Sequence, residues 1–170
     1  MDRIRLQKGF TMIELMIVIG IVAIVYAIAA LSIPEYQNQT ALAETARAVE
    51  GDLSNIRATA RVRQQTVRVD FTATRYTAYI DLNGDNVFNA GDVSVLSSPV
   101  SSRVQMQGVA PFVIPGTLVY TNLGNIATQV QILFILQSDP LKRYRVNIFQ
   151  TGNTQVWRSV DGGVNWFRPW

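Results

Sequence analysis

Hydrophobic and polar positions follow three regimes along the chain. From Leu15 to Leu31 there is no charged side chain and, apart from the phenol of Tyr26, no polar one; Ile33 carries the apolar surface past Ser32. As a helix, such a run is long enough to cross the hydrocarbon of a bilayer. It is longer than the apolar part of a secretory signal. Ala27, Ala29 and Ala30 lead into Leu31 rather than into a cleavage box, so an anchor is expected rather than a removable signal. From Glu35 to about Gln65 the period becomes helical and one-sided. Leu42, Ala46, Val49, Leu53, Ile56 and Ala60 recur at alternating steps of four and three, one stripe facing a partner. Glu44, Arg47, Glu50, Arg57, Arg61 and Arg63 fall mostly off that stripe, as a solvated face would. Gly51 weakens this helix without breaking the pattern. Span and stripe together predict one long helix, bent near Pro34 and ending near Gln65.

At Thr66-Val67-Arg68-Val69-Asp70-Phe71 the period changes from 3.6 to 2, which marks a helix-to-strand boundary. Strand-like runs follow at 66–72, 76–80, 93–96, 103–107, 117–120, 129–136, 144–149 and 154–159. Turn formers such as Asn122-Leu123-Gly124-Asn125 and Thr151-Gly152-Asn153 separate them, and the last two runs should pair as a hairpin. A helix followed only by strands predicts an α+β fold, with an antiparallel β-sheet packed on the long helix. No phosphate-binding glycine loop, nucleophile elbow or βαβ alternation is present.

Composition narrows the function classes. About 33 of the 170 residues belong to the basic N-terminal stretch and the span, which leaves enough chain for one globular domain. There is no Cys, hence no disulfide or thiol nucleophile, and no His, the commonest general base and transition-metal ligand. The formal net charge is +3. Residues 1–9 carry Arg3, Arg5 and Lys8 against Asp2, so without them the net charge falls to near neutrality. Positive charge ahead of the span predicts a cytoplasmic N-terminus and a domain on the other side of the membrane.

Glu14 is the anomaly, a carboxylate at the edge of an apolar span with no cation downstream until Arg47. Its partner must come from upstream, from another chain, or from a new N-terminus. Basic leader, Gly9, Phe10, Glu14 and apolar run together closely resemble the class III signal of type IV pilins and pseudopilins. The resemblance implies a leader of residues 1–9 and cleavage between Gly9 and Phe10 by a prepilin peptidase that also N-methylates the new amine. It implies a membrane and assembly helix over 10–33 and a periplasmic pilin-like domain over 34–170. It also implies pairing of Glu14 with the N-terminal amine of a neighbouring subunit. In a low-dielectric helix bundle an unpaired carboxylate costs several kcal/mol, so such a pair would fix subunit register. The proline of this family's helix falls about one turn earlier than Pro34. The expected partners are other pilin or pseudopilin subunits, the inner membrane and the peptidase. The strand-rich remainder resembles the GspH/FimT branch, which implies a non-enzymatic minor pilin or pseudopilin of a type IV pilus or type II secretion pseudopilus.

Two further sites are readable. The stretch 81–92 places Asp81, Asn83, Asp85, Asn89 and Asp92 at positions one, three, five, nine and twelve of a calcium loop, with the carbonyl of Val87 at seven. Against calcium, Asn86 stands at the position that normally needs Gly, Asp92 is short for the last ligand, and strands flank the loop. The alternative is a hairpin turn whose Asx side chains bond their own backbone. In the C-terminal third, Lys142, Arg143, Arg145, Arg158 and Arg168 alternate with Tyr144, Trp157, Trp166, Phe167 and Trp170. Cations for phosphates beside aromatics for bases would suit DNA. Some FimT-type minor pilins bind DNA through such a region, which makes a DNA receptor the alternative function. Hairpin packing and a subunit contact explain the same residues without it.

Overall fold

The computed structural model describes residues 10–169. They divide between Gln37 and Asn38 into two compact units. Helix α1 runs from Met12 to Arg63 with Pro34 inside it. None of the described side chains of the first unit is buried, and Leu15, Ile19, Val22 and Val25 are all at least half exposed. Among the described residues this is the one helix long and apolar enough to cross a membrane, and none of its apolar window is buried.

In the second unit the stripe read from sequence is the buried face. Leu42, Ala46, Val49, Leu53, Ile56 and Ala60 are each 2% exposed or less. Burying a Leu or Ile side chain contributes roughly 1.5–3 kcal/mol, so this face anchors the helix. The helix ends at Arg63 because Gln64 turns left-handed (φ 52°) and the Gln65 amide reaches back to the Ala60 carbonyl at 3.2 Å.

Eight strands follow: β1 (Val67–Phe71), β2 (Arg75–Ile80), β3 (Val93–Pro99), β4 (Val104–Val109), β5 (Gly116–Tyr120), β6 (Val130–Leu136), β7 (Asp139–Ile148) and β8 (Thr154–Ser159). Each coincides with one expected run. The single sheet expected from sequence is instead two four-stranded antiparallel sheets, ordered β3-β2-β1-β5 and β4-β6-β7-β8. Their inner faces and the helix stripe form one apolar cluster, with Phe71, Leu118 and Tyr120 from the first sheet and Phe134, Val146 and Ile148 from the second. The other difference is β7, which begins at Asp139 rather than near Tyr144. A tight turn at 137–138 pairs Leu136 with Asp139 across a register irregularity. The expected final hairpin is present, Val146 facing Val156 and Ile148 facing Thr154.

Arg57 ties the helix to two turns. Its Nε donates to the Gly124 carbonyl at 3.2 Å and its guanidinium to Asn153 Oδ1 at 2.6 Å. Both turns pass so close that glycine is required. A Cβ on Gly124 (φ 75°) would stand 2.8 Å from the Arg61 side chain, and one on Gly152 (φ 78°) would run into the Gly124 carbonyl.

Candidate functional site

Gly9 and the leader lie outside the described residues. Phe10, the first described residue, is 88% exposed. Thr11 caps the helix that follows. The Thr11 amide and hydroxyl donate to Glu14 Oε2 at 2.8 and 2.9 Å, and the Glu14 amide donates to Thr11 Oγ1 at 3.2 Å. This is a capping box, two otherwise unpaired amides satisfied reciprocally. Glu14 thus has a partner within its own chain, from a residue the charge argument passed over. The signal was present as Thr followed three residues later by Glu, directly before an apolar run.

The 81–92 loop bonds itself. Asp81 accepts from the amides of Gly84 (2.7 Å) and Asn86 (3.0 Å) and pairs with Arg68 Nε at 3.3 Å. Asp85 accepts from the Val87 amide (2.8 Å) and from the side-chain amides of Asn83 (2.8 Å) and Asn89 (2.5 Å). Asp92 accepts from the amides of Leu82 (3.1 Å) and Asn89 (2.9 Å). Asn86, at the position where a calcium loop carries Gly, does take a positive φ of 64°. Among the described residues no group of three acidic side chains converges closely enough to hold a metal ion.

The C-terminal arginines do not form one strip. Residues paired across β7 and β8 share a face, and the pairs are Arg143 with Ser159, Tyr144 with Arg158, and Arg145 with Trp157. Arg158 therefore lies on the helix side with buried Tyr144, whereas Arg143 and Arg145 lie on the outer side. The Tyr144 phenol is pushed up by burial, an effect that Arg158 and then Arg47 oppose.

The segment after β8 folds back over that outer side. Asp161 organises its turn, accepting from the Ser159 hydroxyl at 2.6 Å and from the amides of Val164 (3.1 Å) and Asn165 (3.0 Å). These bonds, the Ser159 hydroxyl first, hold its carboxyl well below the usual range. Phe167 then pairs with Arg158 by two backbone hydrogen bonds of 2.8 and 3.0 Å. That register leaves Trp166 and Arg168 on the outer side. The Arg145 guanidinium stacks on Trp166 at 4.3 Å, and that of Arg168 lies 5.5 Å from the Trp157 ring. Burial depresses the Arg145 pKa. Trp170 lies outside the described residues.

A bare apolar helix half, followed by a helix stripe packed on antiparallel sheets, defines a pilin-like architecture. The prokaryotic N-terminal methylation motif matches residues 4–30. A fimbrial protein of Pseudomonas aeruginosa is 56% identical over 43 residues, 25% of this chain and 26% of that protein. The type IV major pilin protein PilE1 of Neisseria gonorrhoeae is 57% identical over 44 residues, 26% of this chain and 25% of that one. The chain thus spans about a quarter of the length of these curated relatives. Among solved structures, the type IV minor pilin FimU of Pseudomonas aeruginosa aligns with a TM-score of 0.55 at 10% identity, over 71% of this chain and 91% of that one. The minor pseudopilin EpsH of the Vibrio cholerae type 2 secretion system aligns with a TM-score of 0.52 at 16% identity, over 68% and 94%. The latter two likenesses are of fold. Over its N-terminal quarter the chain is thus similar to type IV pilins, and its fold is that of the minor pilins and pseudopilins it aligns with.

Proposed function

We propose that this protein is a membrane-anchored, non-enzymatic minor pilin or pseudopilin, a structural subunit of a type IV pilus or type II secretion pseudopilus. The observation that carries the reading is the division of helix α1. Its described first half is apolar and bare, while one face of its second half is buried in the domain. A bare apolar half is stable only in lipid or against other helices, and a subunit moving from membrane to filament exchanges one for the other. In this reading the leader is cut between Gly9 and Phe10, the domain is periplasmic, and Glu14 exchanges its Thr11 contacts for the amine of a neighbouring subunit. Gly9→Val should then leave the protein at its unprocessed mass in the native membrane. Recovery of the mature mass from that variant would overturn the reading.

The alternative, a DNA receptor, draws on Arg143, Arg145 and Arg168 sharing one side of the second sheet, without Arg158. Retention of DNA that falls steeply with salt, and that is lost when those three become Gln, would favour it over a purely structural subunit.

A further inference from the structure

The outer face of the second sheet holds an unusual deficit. The side chains of Arg145 and Trp157 are direct cross-strand neighbours, and Asn147 lies two residues along β7 from Arg145. Arg145 Nε, Trp157 Nε1 and Asn147 Oδ1 are all buried without a hydrogen-bond partner, and Asn147 as a whole is 7% exposed. Buried polar groups in folded proteins are overwhelmingly paired, and an unpaired one is costly. Three together on one face are hydrogen-bonding capacity that the chain itself does not use. The chain's own tail lies over two of the three side chains, Trp166 on Arg145 and Arg168 beside the Trp157 ring. The Trp166 ring lies on the Arg145 guanidinium, held from behind by its Nε1–H to the Gly163 carbonyl at 2.8 Å. A ring face is at most a weak acceptor for the Arg145 N–H, so the stacking leaves that donor without a conventional hydrogen bond.

We propose that this face is a binding site for an acidic residue in an extended peptide segment of a partner protein, and that Trp166 is its displaceable roof. The donor set carries the chemistry. Arg145 Nε–H and Trp157 Nε1–H, unpartnered donors on directly paired residues of one face, supply one N–H for each oxygen of a carboxylate. Asn147 is an acceptor beside them, which suits the backbone N–H of a peptide and has no counterpart in a phosphate. The row Gln131, Asn147 and Gln155 crosses three strands on the same face and offers further amides to a peptide backbone, while Leu133, opposite Arg145, gives an apolar floor. Nucleic acid fits less well. Guanidinium groups already occupy a face of both Trp166 and Trp157, where bases would stack, and the outer arginines are too few for a polyanion that places a charge about every 1.7 Å. The site rests on the second unit alone and does not depend on the filament reading.

The test uses the full-length protein in detergent, with a fluorescently labelled glutamate-rich peptide as probe and labelled oligothymidylate of equal length as comparison. The peptide should bind, and Arg145→Gln should weaken it about tenfold or more, the loss expected for a charge-assisted pair. Trp157→Phe keeps a ring and removes only the N–H, and should weaken binding severalfold without altering the fold by circular dichroism. Trp166→Ala should tighten binding about severalfold, because a larger fraction of molecules is competent. No peptide binding by either wild type or Trp166→Ala overturns the site, as does binding indifferent to both Arg145→Gln and Trp157→Phe. Oligothymidylate binding in place of peptide, with the same dependence on Arg145, overturns the peptide in favour of nucleic acid. Weaker binding by Trp166→Ala overturns the roof and makes Trp166 part of the site.

Discussion

The two halves of helix α1 share one backbone and opposite reasons for being helical. From Asn38 onward, one face in seven-residue rhythm is buried and the rest is mostly charged, polar or small, so tertiary packing supplies the stability. Before it, apolar side chains point in every direction and none of the described ones is buried. The half with the stronger hydrophobic signal thus has none of the buried core residues among those described. Apolar content marks what must leave water, and only its periodicity says whether the cover comes from within the chain.

Substitution should separate the halves most sharply in stability. Leu53→Ala, at a position 0% exposed, should cost the domain about 2–5 kcal/mol by chemical denaturation in detergent. Ile19→Ala, 60% exposed, should leave that transition unmoved. A comparable loss at Ile19 would mean that the first half is packed after all. Glu14→Gln should likewise leave the domain transition in place and, if the proposed function holds, reduce incorporation into filaments isolated from the native host. Assembly at the wild-type level would remove the carboxylate from the interface.

Smaller effects sharpen the picture within the second half. Arg57→Ala frees both turns from the helix and leaves the Gly124 carbonyl unpaired, for an expected loss of about 1–3 kcal/mol in the same denaturation. The Asp161 turn should respond to acid. A carboxyl held below its usual value of 3.8 stabilises fully above that pH and loses its contribution as pH falls towards the folded-state pKa. Tryptophan fluorescence from the tail should therefore stay flat from pH 7 to about pH 4 and change only below it, whereas Asp161→Asn should show the altered signal already at pH 7. The smallest effect concerns the 81–92 loop. Its carboxylates already accept from loop amides, so exchanging chelator for calcium should leave the melting temperature unchanged. A rise that Asp81→Ala or Asp92→Ala abolishes would establish a metal site there.

What could be read from the sequence follows the range of the forces involved. The stripe from Leu42 to Ala60 and the eight strands were legible because period and turn chemistry are local. The partition into two sheets was not, since it depends on β5 choosing β1, and β4 choosing β6, across long separations. The early start of β7 was masked by Asp139-Pro140-Leu141, which breaks the alternation that identifies a strand. At the sites, Glu14 stood out by its charge, but its capping partner Thr11 did not. The arginines near the C-terminus were legible as charge but not as faces. Only the pairing of Tyr144 with Arg158 separates that arginine from Arg143 and Arg145.

The backbone bridge between Phe167 and Arg158 has a consequence for solubility. β8 is an edge of the second sheet, and an unprotected edge offers its free amides and carbonyls to any other chain in solution. The tail uses the Arg158 amide and carbonyl and turns the Asp161 segment across the end of the strand. A chain cut back to Ser159 would keep every strand of the sheet and lose this guard. Its expected behaviour is concentration-dependent self-association without unfolding, visible by light scattering while the circular dichroism stays native.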